Sequence, residues 1–190
     1  MAGTDDRGDQ RELQFHRLYQ DNFRPVQAYA VNRLGTSDDV PDVVAEVFTI
    51  AWRRLADIPP APGDRPWLYG TARRVIARRR RSASRLRNLV GRLAAERYPA
   101  EVTRGHDPAQ QRVLAALGEL KPAHREALLL VHWEELSYAE AAQALGCSAN
   151  AVGIRVHKAK TRLRTLLGPD SAANGPVPVA LQPNGVTDGS

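Results

Sequence analysis

The residues best suited to chemistry lie between positions 150 and 162, where side chains that donate hydrogen bonds recur at helical spacing. This segment carries lysine and arginine but no acid. Amide, imidazole, hydroxyl, ammonium and guanidinium groups can bind phosphate oxygens and the edges of bases. These side chains are Asn150, His157, Lys158, Thr161 and Arg162, with the apolar Ile154 among them. The pattern predicts binding of a polyanion rather than bond making.

Two helices joined by a short turn are predicted to position these side chains. Ser137 and Glu140 form a capping-box pattern at the start of the first helix. Gly146 is placed to end that helix in a left-handed conformation, and Ser148 to cap the next one. The first helix has an apolar stripe of Ala139, Ala142 and Leu145.

The second helix has an apolar seam opposite its basic side. The seam consists of Val152, Val156, Ala159, Leu163 and Leu166. A capped helix, a three-residue turn and a helix that is apolar on one side and basic on the other are typical of a DNA-binding helix-turn-helix. The alternative is an ordinary helical hairpin with a solvated basic face.

Positive charge is concentrated in a second segment near the middle of the chain. The formal net charge is +6, and residues 65–95 contain ten arginines and no acid. Such a run is most easily explained if a polyanion neutralises it, although a solvated or nuclear-localisation-like run is the alternative. Trp67 and Tyr69 lie just before the run and are candidates for stacking on unpaired bases, although Trp67 taken singly is also a candidate for the core. Eight of these arginines lie within residues 73–87, namely Arg73, Arg74, Arg78, Arg79, Arg80, Arg81, Arg85 and Arg87.

Acidic residues are concentrated instead in the first 64 positions. Asp38, Asp39, Asp42 and Glu46 precede or lie along a helical segment whose apolar residues share one face. That face consists of Val44, Val47, Phe48, Ala51 and Leu55. Acids at the start of a helix complement its dipole, and an acidic face also suits docking of a protein partner. Both interpretations remain open on this pattern alone.

Several classes of function are not indicated. The single cysteine, Cys147, cannot form an internal disulfide, and the five histidines lack metal-ligand spacing. There is no phosphate-binding glycine loop and no nucleophile elbow, so neither an enzyme nor a cofactor is predicted. The sequence has neither an apolar run of membrane-spanning length nor an apolar signal core near Met1. A cytoplasmic protein is expected.

The fold class predicted is all-α, with two small helical domains and a flexible linker. We expect a disordered N-terminus at 1–10, a first domain at 11–94, a linker at 95–106, a helix-turn-helix domain at 107–168 and a disordered tail at 169–190. In the first domain a break or kink is expected just before Pro25. Helices are expected at 42–55 and from 65 to 81, separated by the prolines at 59, 60 and 62.

Taken in order, four segments resemble bacterial RNA polymerase sigma factors, specifically the extracytoplasmic-function (ECF) group of the sigma-70 family. The segments are FHRLYQDNFRPVQAYAVNRL, DDVPDVVAEVFTIAW, RPWLYGTARRVIARRRR and LGELKPAHREALLLVHWEELSYAEAAQALGCSANAVGIRVHKAKTRLRTLL. The resemblance covers about residues 13–93 and 108–168. It implies a protein that binds core RNA polymerase and directs promoter recognition, DNA melting and transcription initiation, often under control of an anti-sigma factor.

The resemblance also assigns roles by position. It implies polymerase docking by Asp39, Asp42 and Glu46. The downstream promoter element would be contacted by Trp67, Arg73, Arg74, Arg78, Arg79 and Arg81. The upstream element would be contacted by Asn150, Ala151, Ile154, Arg155, His157, Lys158 and Arg162.

Four positions depart from the family pattern. Ala45 stands where the family usually has glutamine, Arg74 where asparagine is usual, and Arg78 where an acid is common. Gly153 replaces a frequent lysine, which removes a phosphate contact and costs roughly 1 kcal/mol of helix propensity.

Two rival functions remain possible from the sequence. A free-standing helix-turn-helix regulator would explain residues 137–167 but not the arginine run or the acidic helix. An RNA-binding or nucleoid-packing protein would explain the charge but not the two capped helices.

Overall fold

Seven α-helices and one short 3-10 helix make up the described residues, which are 5–35, 38–90 and 108–168 of a computed structural model. These ranges contain no strand, so the predicted all-α class is confirmed. The helices are α1 (Asp5–Leu34), α2 (Asp39–Arg53), α3 (Asp64–Val90), α4 (Pro108–Gly118), α5 (Pro122–His132), α6 (Tyr138–Leu145) and α7 (Ala149–Leu167).

The helices form two compact units, the front unit containing α1, α2 and α3 and the back unit containing α4, α5 and α7. The predicted linker at 95–106 and the predicted tail at 169–190 lie outside the described residues. The side chains of Arg85 and Arg87 also lie outside them.

Helix α1 is longer and more continuous than the sequence pattern predicts. It begins at Asp5, so residues 5–10 are helical rather than disordered. It also continues through Pro25, and the break expected there is wrong. Proline removes one backbone hydrogen bond, but Val26, Tyr29 and Ala30 directly after it are fully buried. Packing of that face favours continuation of the helix over its interruption.

Helix α2 packs on both α1 and α3. It begins three residues before the predicted start, at Asp39, and it ends at Arg53 before the 3-10 turn Leu55–Asp57. The apolar face predicted from helical spacing is confirmed, since Val44, Val47, Phe48, Ala51 and Leu55 are all buried. Aromatic rings join α1 to α2, with centroids 4.7 Å apart for Tyr19 and Phe48 and 5.1 Å apart for Phe15 and Trp52.

Helix α3 follows the proline-rich break and extends nine residues beyond the predicted end at 81. Its start is tied to α1, because Nδ2 of Asn22 donates a hydrogen bond of 2.9 Å to Oδ2 of Asp64. Leu68, Tyr69, Ala72, Val75 and Ile76 are buried, so one face of α3 completes the front core while the arginines lie around it.

The back unit is built around α7, which packs on α4 and α5. Its buried seam is formed by Val152, Val156 and Ala159, with Leu163 and Leu166 half-buried, as the apolar spacing predicts. In α6 the buried residues are Ala141, Ala142 and Ala144, whereas Ala139 is exposed. The predicted stripe of α6 is therefore wrong at Ala139, which lies in the first helical turn.

Candidate nucleic-acid interface

The helix-turn-helix geometry is set by local hydrogen bonds at both ends of the turn. The backbone N–H of Ser137 donates to Oε2 of Glu140 at 2.8 Å, and the N–H of Glu140 donates to Oγ of Ser137 at 3.2 Å. Gly146 ends α6 with a φ of 65°, which glycine adopts without steric cost. Oγ of Ser148 then accepts from the N–H of Ala151 at 3.2 Å. All three predicted caps are confirmed.

The polar face of α7 is presented to solvent. The buried seam of Val152, Val156 and Ala159 fixes the rotation of the helix and leaves one continuous stripe exposed. Ala151 and Arg155 border this stripe and are half-buried. The exposed residues are Asn150, Ile154, His157, Lys158, Thr161 and Arg162. The structure therefore brings all of the predicted upstream-element residues to one side of α7.

A histidine on α5, His124, lies close to the positive charges of this surface. Burial lowers the pKa of His124, and the charges of Lys121, Lys158 and Arg155 lower it further. Burial also lowers the pKa of His132, with Lys160 adding to the effect. Lys158, Arg155 and Lys160 of α7 therefore lie close enough to α5 for their charges to act on its histidines.

A second basic cluster surrounds Trp67 at the start of α3. The guanidinium carbon of Arg54 lies 6.0 Å from the centroid of the Trp67 ring, which is partly exposed. Nη2 of Arg74 donates to Oγ1 of Thr71 at 3.0 Å. Burial lowers the pKa of Arg74, as do the charges of Arg73 and Arg54. An aromatic ring among crowded guanidinium groups is well suited to a single-stranded nucleic acid.

The acids of α2 lie directly against two of the α3 arginines. Nη1 of Arg79 lies 3.4 Å from Oδ2 of Asp42 and 3.5 Å from Oδ1 of Asp39, and its Nη2 lies 3.6 Å from Oε2 of Glu46. Arg78 also forms an ion pair with Glu46. Glu46 is only 22% exposed at its side chain, whereas Asp39 and Asp42 are 62% and 70% exposed. The two aspartates therefore remain accessible to a partner.

Two family models match the chain, one over each unit. The model described as Sigma-70 region 2 matches residues 18–86, and the one described as Sigma-70, region 4 matches residues 110–163. The RNA polymerase sigma factor NccH of Alcaligenes xylosoxydans xylosoxydans is 34% identical over 173 residues, covering 84% of this chain and 89% of the relative. The chain belongs to the sigma-70 family of RNA polymerase sigma factors.

Other relatives refine this assignment. The ECF RNA polymerase sigma factor SigL of Mycobacterium tuberculosis is 32% identical over 158 residues, covering 79% of this chain and 86% of the relative. The solved complex of the sigma factor RpoE with the anti-sigma factor NepR from Bartonella quintana has a TM-score of 0.64 at 23% identity. This match covers 82% of the chain and 98% of RpoE, and it supports the fold. The sigma factor is therefore of the ECF group.

A sigma factor binds core RNA polymerase and directs it to promoters, and it is not an enzyme. The rival regulator without polymerase is not favoured, because region 2 accounts for the front unit that it leaves unexplained. Among the described helices, none combines the length and apolar composition needed to cross a bilayer. The described residues also contain no cluster of His, Cys, Asp and Glu suited to holding a metal.

The structure separates two aromatics that look equivalent in the sigma-factor sequence. Tyr69 is 3% exposed and stacks on Tyr29, with ring centroids 4.8 Å apart and planes inclined by 15°. The prediction that Tyr69 is available to stack on bases is wrong, because its ring packs in the core. Trp67 lies two residues earlier, so it points to another side of α3 and stays partly exposed.

Sequence reasoning also missed two arginines. Arg54, which follows the last residue of α2, lies with its guanidinium carbon 6.0 Å from the centroid of the Trp67 ring. Arg33 is buried with its guanidinium carbon 3.4 Å from the centroid of the Tyr29 ring, and its backbone carbonyl accepts a hydrogen bond from Arg80. A local pattern carries no signal for either contact, since both depend on how separate helices meet.

Proposed function

We propose that this sigma factor divides promoter recognition between its two basic surfaces. The exposed stripe of α7, with Ala151 and Arg155 at its border, would contact the duplex upstream element. This proposal is supported chiefly by the rotation of α7, which buries the apolar seam and turns Asn150, His157 and Lys158 outward. Phosphate contacts would set the register of the helix, and contacts to base edges would give specificity.

The surface around Trp67 would contact the melted downstream element. Arg73, Arg74 and Arg81 would hold its phosphates, with Arg54 beside the tryptophan. Arg78 and Arg79 have a different proposed role because carboxylates of α2 already neutralise them. We place them at the border of this surface, where they orient α2 against α3 and contribute less to DNA affinity than the resemblance implies.

Docking on core RNA polymerase would use Asp39 and Asp42, which are exposed on the first turn of α2. Glu46 would act mainly by positioning, since its carboxylate contacts Arg78 and Arg79. Because polymerase and promoter are cytoplasmic in bacteria, we also propose that location for this chain. An anti-sigma partner is proposed as well, by analogy with the RpoE–NepR complex.

In vitro transcription with core RNA polymerase and a promoter library tests this function. The chain should direct initiation at defined start sites and reveal its promoter sequence in the same experiment. Replacing Asp42 and Glu46 by lysine should abolish association with core polymerase, measured by co-purification. The charge of Asp42 becomes repulsive at the docking surface, and position 46 no longer pairs with Arg78 and Arg79.

Arg79→Gln is the matched control. It breaks the ion pairs of Arg79 with Asp42 and Glu46 but leaves the acids and the Arg78–Glu46 pair in place, so its association with core polymerase should persist. Normal co-purification of the Asp42→Lys, Glu46→Lys variant would contradict the docking role. If the Arg79→Gln variant also fails to associate with core polymerase, the broken ion pairs and not the docking charges explain the loss.

A further inference from the structure

An exposed isoleucine stands in the middle of the polar stripe of α7. Ile154 is 48% exposed, although its neighbours on the same face are polar or charged. Asn150 lies one turn before it, and His157 and Lys158 lie one turn after it. Tyr138 is the other large apolar side chain that the described part of the back unit exposes. If α7 enters the major groove, the side chain of Ile154 faces base edges.

Isoleucine has no hydrogen-bonding group, so it cannot recognise a base by donating or accepting. In the major groove the thymine edge carries a C5-methyl group, which an apolar side chain can contact. The edges of adenine and guanine carry polar atoms there, and an apolar side chain would remove water from these atoms without giving them a hydrogen-bond partner. A β-branched side chain is also restricted to few rotamers on a helix, so little entropy is lost when it makes such a contact.

The residue before Ile154 keeps this region free of long side chains. A Cβ on Gly153 would lie 3.3 Å from Cε2 and 3.6 Å from Cδ2 of the Tyr138 ring. Gly153 therefore makes room for the aromatic ring of α6, and it places no charged group beside Ile154. The family resemblance identifies Gly153 only as a lost phosphate contact. In this chain the missing side chain also lets α7 pack against the Tyr138 ring.

From these observations we infer that Ile154 is a specificity-determining residue that contacts the 5-methyl group of a thymine in the upstream promoter element. The inference rests on the proposed function, because it requires α7 to lie in the major groove of promoter DNA. It goes beyond that function by naming the base and the chemical group that one side chain recognises.

Deoxyuridine tests the contact, since it keeps every hydrogen-bonding group of thymine and lacks only the methyl. Holoenzyme assembled from the full chain and core polymerase is bound to a promoter obtained from the library. Each thymine of the upstream element is replaced by deoxyuridine in turn, on either strand. At one position the affinity should fall about fourfold, the effect of removing one methyl group from an apolar contact.

Variants of Ile154 assign the effect to this side chain. Ile154→Ala should bind the thymine and deoxyuridine promoters equally, whereas Ile154→Val should retain the preference. Lys158→Ala serves as the matched control on the same face, and it should weaken binding to both promoters while keeping the preference. Ile154 is exposed, so the fold should persist in its variants, as circular dichroism can verify.

The possible results test the inference about Ile154 and the proposed function separately. Tight binding to all promoters without any methyl preference, or a preference that persists in Ile154→Ala, would overturn the inference and leave the proposed function intact. Failure of the wild-type holoenzyme to bind any selected promoter would overturn both.

Discussion

Exposure of individual side chains decides which of the basic residues in α7 can meet DNA directly. Lys158 is exposed at the centre of the polar stripe, whereas Arg155 is half-buried at its border, and both charges lower the pKa of His124. The two residues looked equivalent by charge alone. The difference in exposure favours Lys158 over Arg155 as the proposed phosphate contact.

Replacing Lys158 by alanine should weaken upstream-element binding and lower the salt dependence. One phosphate contact fewer reduces the slope of log affinity against log salt by about 1. Titration of the holoenzyme with promoter DNA at several salt concentrations measures this slope. Lys160→Ala is the matched control because Lys160 is half-buried near His132, away from the stripe. An equal decrease in both variants would show that the effect is non-specific charge loss.

At the scale of elements, short capping motifs set the ends of α6 and α7, while the buried seam of α7 sets the rotation of that helix. The box formed by Ser137 and Glu140 starts α6, Gly146 ends it, and Ser148 starts α7. The side chains of Ser137, Glu140 and Ser148 accept hydrogen bonds from backbone amides that would otherwise have no partner at the starts of the two helices. The turn between the helices therefore keeps a defined geometry.

Removal of the first cap should destabilise the back unit measurably. Ser137→Ala should lower the free energy of unfolding by about 1 kcal/mol, since it removes the acceptor for the N–H of Glu140. Denaturant unfolding followed by circular dichroism measures the change. Ser82→Ala is the control, because Ser82 is exposed within α3 and alanine favours a helix interior. A loss no larger than that of the control would refute the role of the cap.

Helix α5 should make stability dependent on pH. The pKa of His124 lies below its ordinary value of 6.5 in the folded chain because of burial and nearby cations. Protons consequently bind the unfolded chain more tightly, so the free energy of unfolding should fall as pH drops through about 6.5 and level off below the folded pKa. The loss is absent at higher pH, where the imidazole is neutral in both states.

His124→Gln should reduce this loss of stability between about pH 7.5 and about pH 5.5. Lys121→Gln should reduce it partly, because it removes one of the cations that lower the pKa of His124. Denaturant unfolding at several pH values compares the variants with the wild type. The same pH dependence in wild type and His124→Gln would count against this explanation.

At the scale of the whole molecule, the described residues group their charge into ion pairs and basic patches. The acids of α2 neutralise Arg78 and Arg79, and each unit carries one basic surface, around Trp67 in the front unit and along α7 in the back unit. Promoter opening would then need duplex binding at one surface and single-strand binding at the other.

A pre-melted promoter distinguishes the two surfaces. Trp67→Ala should reduce transcription from a duplex promoter by about tenfold, because stacking on one base contributes about 1–3 kcal/mol. The defect should shrink when the downstream element is already single-stranded, since less binding energy is then needed for melting. Lys158→Ala should show the same defect on both templates. If the two variants respond alike to the pre-melted template, the proposal that each unit contacts a different promoter element is wrong.

Much of this architecture could be predicted from the sequence. Helical spacing identified the apolar faces of α2 and α7, and Ser137, Glu140, Gly146 and Ser148 identified the caps, because these signals act within four residues along the chain. The order of four segments also indicated the sigma-factor family. Local patterns overestimated the effect of Pro25, since tertiary packing of α1 outweighs one lost hydrogen bond.

Only the tertiary structure decided which charged and aromatic residues face one another. Arg79 and Asp39 are 40 residues apart in the chain, and Arg78 and Glu46 are 32 apart, yet both pairs meet where α2 packs on α3. Packing of α3 on α1 buries Tyr69 against Tyr29, while Trp67 stays partly exposed. Helical periodicity determines which residues share a face, but the partner of that face depends on contacts between distant segments.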